Sequence, residues 1–244
     1  MNQRRIVIGA VGGDRHKDAA IAFGKAVAER GCILLTGGEL RESDEVKDAA
    51  MVGARSAEKD TGAVARLIGI LPSDKECWVA TSRGLFLDTG LRHNIRNVIN
   101  GLTPDALVIF GGGGGTLAEA AFAVAANKPI FFGDLPASRD RLIKNFEKYF
   151  VDSEKDVDLY LRAPLAADIY GGAWNRPLTI DDLKNGLDDF LKRAPTTAVA
   201  PTELVQACVA AAKDAALRPT GFPGLPDAPE TKPLFEAIIK RVSS

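Results

Sequence analysis

Val108-Ile109-Phe110-Gly111-Gly112-Gly113-Gly114-Gly115-Thr116-Leu117-Ala118-Glu119 decides the fold: an apolar run breaks into five glycines and opens onto a helical pattern. Asp105 to Phe110 reads as a buried strand, Gly111 to Gly115 as a glycine loop and Leu117 to Ala126 as a helix. The same unit recurs upstream. Arg5 to Ala10 is a strand, Val11-Gly12-Gly13 a turn, and Ala19, Ala22, Phe23, Ala26 and Val27 share one helical stripe that Gly31 ends. Cys32 to Thr36 is the next strand. After Gly37-Gly38 and an acidic stretch, Val46, Ala49, Ala50 and Ala54 mark a helix reaching about Ala57. Arg66 to Leu71 is a strand closed by Pro72, Ile130 to Phe132 another, and Arg139 to Phe150 a helix. Apolar strands alternating with helices predict an α/β fold, doubly wound around a mainly parallel sheet.

Between the third strand and the glycine loop, Leu91, Ile95, Val98, Ile99 and Leu102 fall in one stripe, predicting a helix over Thr89 to Leu102. Arg92, His93, Arg96, Asn97 and Asn100 take its opposite face. Beyond about residue 165 no buried strand is evident. Three helical patterns follow, Ile180/Leu183/Leu187/Phe190/Leu191, Leu204/Cys208/Ala211/Ala212/Ala215 and Leu234/Phe235/Ile238/Ile239/Val242. The last two are separated by residues 218–233, which hold five prolines and two glycines and predict a linker. The expected organisation is a ligand-binding domain over 1–165 and a helical extension over 166–244.

Composition narrows the function. Over 244 residues, 31 Lys and Arg stand against 32 Asp and Glu, and 46% of residues are hydrophobic. A net charge of -1 gives no basic face to offset a nucleic-acid backbone, so any anion site is local. Cys32, Cys77 and Cys208 are far apart, and His16 and His93 are the only histidines, so neither a disulfide framework nor a metal site is expected. No stretch reaches the roughly 18 apolar residues needed to span a bilayer. Met1 leads almost directly into a strand without an apolar signal region, so the expected location is cytoplasmic.

The glycine loop carries the chemistry. Glycines let backbone N–H groups approach an anion closely, and a helix N-terminus adds roughly half a positive charge, so Gly112, Gly113, Gly114, Gly115 and Thr116 are candidate phosphate ligands. The run is not a Walker loop, lacking Gly-Lys-Ser/Thr, and Thr116 occupies the sixth position of G-x-G-x-x-G. A second reading stands beside the first: the glycines permit a tight turn, and Thr116-x-x-Glu119 fits a capping box with Thr116 as N-cap. Arg92, Arg96 and Asn97 present donors suited to phosphate or carboxylate. Gly12, Gly13, Thr36, Gly37 and Gly38 end strands at the carboxyl edge, where doubly wound sheets bind ligands.

Arg96, then Pro104 to Ile109, then Gly-Gly-x-Gly-Thr-x-x-Glu ending at Glu119, then Lys128-Pro129, resembles the Rossmann-like superfamily of the "lonely guy" phosphoribohydrolases. That superfamily also contains molybdenum cofactor carrier proteins and nucleotide sensors. The similarity covers about residues 4–150, and Thr89-Gly90-Leu91 with Arg96-Asn97 looks more like the carrier branch. The resemblance implies that the loop cradles a 5′-phosphate and that Arg96 and Glu119 are the catalytic pair if the protein is an enzyme. The hydrolases usually carry Arg-Lys at Arg96-Asn97, Glu-Glu at Ala118-Glu119, and a glycine-rich segment where this chain has Thr36-Gly37-Gly38 and the charged residues 39–45.

The leading expectation is a carrier or sensor holding a nucleotide or molybdopterin with no required cofactor. The alternative is a nucleoside 5′-monophosphate phosphoribohydrolase, in which Glu119 orients water or stabilises the sugar cation and Arg96 neutralises charge. A third is a partner-binding protein using its helical extension. No lysine context supports the old lysine decarboxylase label of the family. By resemblance a homo-oligomer is expected, with no nucleic-acid or membrane partner.

Overall fold

The computed structural model describes residues 4–38, 46–73, 84–92, 94–162, 179–194 and 198–217. The expected Rossmann-like doubly wound fold is present. Strands β1 (Val7–Gly12), β2 (Ile33–Thr36), β3 (Arg66–Leu71), β4 (Leu85–Asp88), β5 (Ala106–Phe110) and β6 (Ile130–Phe132) form one sheet in the order β4-β3-β2-β1-β5-β6. Every pairing is parallel. Strand order reverses between β1 and β5, so the crevice between their carboxyl ends is where such a sheet takes a ligand.

Helices α1 (Lys17–Glu29), α2 (Val46–Thr61), α3 (Asn97–Leu102), α4 (Gly114–Ala125) and α5 (Ala137–Phe146) connect the strands or follow them. Side-chain alternation along β1 and β5 divides the core. Ile8, Ala10, Ala106, Val108 and Phe110 pack with α1 and α2, while Val11, Leu107 and Ile109 pack with α3 and α4. Helices α1 and α2 meet at two glycines. A Cβ on Gly24 would strike the Ala50 carbonyl and one on Gly53 the Ile21 carbonyl, so this crossing admits no side chain at either point. That contact fixes the start of α2 relative to β1.

Two later helices close the two cores. Helix α7 (Ile180–Arg193) contributes Leu183, Leu187 and Leu191 to the α4 side, and α8 (Pro201–Leu217) contributes Leu204, Val205 and Cys208 to the α1 side. A capping box at Thr179 and Asp182 starts α7. The helix expected over Arg139 to Phe150 is α5 continued by a π-helical turn at Glu147–Val151; α6 (Glu154–Val157) and a second π-helical turn at Asp158–Arg162 follow before α7. The expected linker 218–233, the helical pattern at Leu234 to Val242, the acidic stretch 39–45, Cys77 and His93 lie outside the described residues.

The helix expected over Thr89 to Leu102 is shorter. Only Asn97–Leu102 is α-helical, and β4 stands just before the segment. The Asp88 carboxylate accepts from Gly90 N–H at 3.0 Å and the Thr89 hydroxyl from Leu91 N–H at 3.2 Å. Gly90 turns through φ +67°. Side chains that capture nearby backbone donors compete with a helix, so the stripe continues across a turn rather than along one helix.

Candidate functional site

At the β1/β5 crevice lies a cavity of about 180 Å³ whose floor is Ala10, Val11, Gly12 and Gly13. Its walls are Gly37, Lys47, Arg96, Asn97, Gly115, Thr116 and Glu119. Of the residues singled out from sequence, Gly12, Gly13, Gly37, Arg96, Asn97, Gly115, Thr116 and Glu119 are thus brought together. Gly112, Gly113, Gly114, Thr36, Gly38 and Arg92 do not line it.

Each excluded residue has a local account. Gly112 has φ +110°, a backbone that favours glycine, and its carbonyl accepts from the Asn145 carboxamide. Gly113 is the N-cap of α4, and Gly114 lies under the Tyr160 ring, where a Cβ would stand 2.5 Å from Cδ2. Thr36 spends its hydroxyl inside the turn, accepting from Gly38 N–H at 3.1 Å. Arg92 is exposed on the turn before α3.

Helix α4 begins at Gly114, so two of the expected loop glycines are its first residues and Thr116 lies inside the helix. This overturns the capping-box reading. The N-cap is Gly113 and carries no side-chain cap, and Glu119 Oε1 accepts from Asn100 Nδ2 at 2.8 Å. The first N–H to meet a helical carbonyl is Leu117, at 3.0 Å to Gly113 O. The amides before it have no acceptor in the helix, which is the condition for holding an anion.

The polar side of α3 faces inward. Arg96, Asn97 and Asn100 are 2%, 3% and 0% exposed. Arg96 Nη1 donates to Ile70 O at 2.5 Å and to Gly37 O, tying the guanidinium to the carboxyl ends of β3 and β2. Asn97 Nδ2 is buried and meets no acceptor among the described residues; it stands 3.3 Å from where a side chain on Gly115 would begin. Helix α3 packs closely on α4, since a Cβ on Gly101 would come within 2.5 Å of Glu119 O.

The sequence reading missed Lys47 as a site residue, and placed Asn100 on the polar face without singling it out. Lys47 shares a stripe with Ala50 and Ala54, and a lysine on an apolar stripe is the signal that marks it. Its placement follows from Val46, whose N–H donates to Gly13 O at 2.9 Å and starts α2 against the β1 loop. Helical spacing put Asn100 on the polar face, but its bond to Glu119 depends on how α4 packs. A second polar pair overlies the glycine loop. His16, left-handed at φ 66°, bonds Asp134 Oδ2 through Nδ1 at 2.6 Å, and its ring edge lies 3.3 Å from a Cβ on Gly111.

Among the described residues, no helix is long and apolar enough to cross a membrane, and no three His, Cys, Asp or Glu cluster as a metal site. Among solved structures, the chain is similar to the molybdenum cofactor binding protein of the phototrophic bacterium Rippkaea orientalis. The identity is 34% over 54% of this chain and 77% of that one, with a TM-score of 0.46. It is also similar to the molybdenum cofactor carrier protein of Chlamydomonas reinhardtii, 33% identical over 58% of this chain and 84% of that one, with a TM-score of 0.44. No curated protein matches. A model of the SLOG cluster4 family matches residues 5–158, most of the chain and the whole of the β1/β5 crevice, and the chain therefore belongs to the SLOG cluster4 family.

Proposed function

We propose that this protein binds a phosphorylated, nucleotide-like small molecule in the β1/β5 cavity, as a carrier or sensor. The phosphate sits at the N-terminus of α4. The observation that carries this reading is the convergence on one cavity of the start of α4 at Gly115 and Thr116, whose amides have no acceptor in the helix, and of Asn97 Nδ2, which meets no acceptor among the described residues. Calorimetry with inorganic phosphate, nucleoside 5′-monophosphates and the molybdenum cofactor tests it. The last enters the panel because it is the ligand named for the two similar proteins. Saturable binding of a phosphorylated member, competed by phosphate, supports the reading. Absence of binding across the panel refutes it.

One observation favours hydrolysis as a second reading. Glu119 does not cap its helix; its carboxylate is fixed by Asn100 at the cavity wall. There it can stabilise a ribosyl cation or orient the water that adds to the sugar carbon as the C–N bond breaks and the base leaves with a proton. Arg96, tied to two carbonyls, is suited to holding the wall rather than following a leaving group. Chromatographic release of free base from a nucleoside 5′-monophosphate, lost in Glu119→Gln, identifies a hydrolase. Binding without release identifies a carrier or sensor.

A further inference from the structure

We propose that a cavity at the amino edge of the sheet is a second ligand site, for a small organic anion carrying two or more negative charges on phosphate or carboxylate groups. This site is independent of the phosphate reading above, since it lies at the other end of β1, about 20 Å from the crevice for a six-residue strand. The cavity measures about 590 Å³, within the roughly 300–1,000 Å³ of small-molecule sites. Residues just before three strands build it: Arg4 to Ile6 precede β1, Cys32 precedes β2 and Asp105 precedes β5. The end of α1 adds Arg30 and Gly31, and α8 adds Val209, Ala212 and Lys213.

Local geometry orients the cations of the rim. Gly31 turns through φ +67° and donates to Ala28 O at 2.9 Å, while Arg30 and Cys32 N–H take Ala26 O and Val27 O at 3.1 Å, so the last carbonyls of α1 are occupied by its own turn. On α8, Gln206, Val209 and Lys213 stand at i, i+3 and i+7 and share one face. That stripe meets the α1 turn, where the Gln206 carboxamide oxygen accepts from Arg30 Nη1 at 3.3 Å and from Arg30 Nη2. Arg5 Nη1 donates to Gly31 O at 3.2 Å. Both guanidinium groups are thus held by neutral acceptors, which place a charge without cancelling it. Asp105 is the acid of the lining, and both its oxygens are in use: Oδ1 accepts from Arg4 Nη2 at 2.8 Å and Oδ2 from Val7 N–H at 2.9 Å. Glu29 and Asp214 adjoin Arg30 and Lys213 in sequence but do not line the cavity.

Cys32 senses the field at the floor. It is 6% exposed, and burial raises its pKa, while Arg30, Lys213 and Arg5 pull it down in that order. Cations from the end of α1, from α8 and from the chain before β1 therefore converge on one point of the cavity, and a thiol that keeps its proton does not neutralise them. Like charges gathered from three elements repel one another, so an anion seated among them relieves more repulsion the more charge it carries. Guanidinium groups take phosphate or carboxylate oxygens in pairs. Ile6, Val209 and Ala212 add an apolar side, so the ligand class is an organic body bearing such groups.

The test is calorimetry on the full chain with citrate, a nucleoside 5′-diphosphate and, as a singly charged control, acetate, each at low and high salt. Arg30→Gln/Lys213→Gln removes two charges at exposed positions, Arg30→Lys/Lys213→Arg keeps them, and Gly115→Ala obstructs the crevice; thermal melts check that each variant folds. The expected result is saturable binding of citrate or the diphosphate, stronger than that of acetate and retained in Gly115→Ala. Arg30→Gln/Lys213→Gln should weaken it about tenfold, two exposed charge contacts at up to about fivefold each, and flatten its salt dependence. The charge-keeping pair should retain most of the affinity. Binding that the neutral pair leaves unchanged overturns the site, and its loss in Gly115→Ala instead would assign it to the crevice. A wild type that binds neither citrate nor the diphosphate also overturns the site, whether the cavity is empty or filled by the protein's own residues.

Discussion

Adjacent glycines at the start of α4 face different neighbours, and a single methyl group at each separates packing from binding. In Gly114→Ala the new Cβ meets Tyr160, 2.5 Å from Cδ2 and 2.9 Å from Cζ. Ordinary contact begins near 3.4 Å, so the ring must retreat by about 1 Å, against Tyr149, whose ring packs edge-on with a centroid separation of 6.2 Å. Overpacking of this kind costs about 1–3 kcal/mol, and alanine regains about 1 kcal/mol of helix propensity over glycine. The net loss is about 1 kcal/mol, or a Tm lower by about 2–4 °C for a chain of this size. In Gly115→Ala the Cβ meets only Asn97 Nδ2, at 3.3 Å, and otherwise enters the cavity. Stability should hold or rise slightly, while phosphate-ester affinity falls at least about tenfold because the methyl occupies ligand space and covers Asn97. Thermal melts with calorimetry on both variants read the two effects. The reasoning fails if Gly115→Ala binds like wild type, or if Gly114→Ala melts at or above it.

Arg96→Met should cost about 3 kcal/mol in urea unfolding, since two buried carbonyls lose a charged donor; unchanged stability with lost binding would return Arg96 to the ligand. Asp134→Ala should lose about 1 kcal/mol through the His16 bond, and His16→Gly less, because glycine relieves about 1 kcal/mol of left-handed strain at that position. Equal losses in urea unfolding would remove the strain account. Burial pushes the Cys208 thiol up to about 12 from 9.0. The folded thiol therefore keeps its proton while the unfolded one ionises, so its contribution to stability is intact below pH 9 and is lost as pH rises toward 12. Peptide mapping after iodoacetamide treatment at pH 9 should find Cys208 unlabelled in native protein and labelled in urea; labelling of the native protein would contradict the burial.

The central strands were legible because β1 and β5 are buried on both faces and read as unbroken apolar runs. Strand β4 has only four residues, with Leu85 and Leu87 exposed at the sheet edge, and leaves no comparable signal. The stripe through Leu91, Ile95 and Val98 satisfies helical spacing, yet spacing does not register Asp88 and Thr89 taking the backbone donors of the next turn. At the site, Thr116-x-x-Glu119 has the spacing of a capping box. What sequence could not reveal is that glycines join the helix here, moving its start to Gly114 and freeing Glu119 for Asn100.

Of the expected donor surface, Arg96, Asn97 and Asn100 are buried while Arg92 is exposed, and that division bears on function. Among the described residues, the buried polar and charged set is Thr36, Lys47, Arg96, Asn97, Asn100, Thr116, Glu119, Ser138 and Asn145. They stand at the end of β2, at the start of α2, at the N-cap of α3 and within it, on α4, and on α5. Burying a polar group without full compensation costs free energy, and a sheet of this kind can be built on apolar residues alone, as its strand interiors are. A core indifferent to ligand would scatter such residues or replace them. Five of the nine, Lys47, Arg96, Asn97, Thr116 and Glu119, line one crevice, where Asn97 Nδ2 meets no acceptor among the described residues, and the same cost accounts for the Arg96 bonds that keep the crevice walls in place.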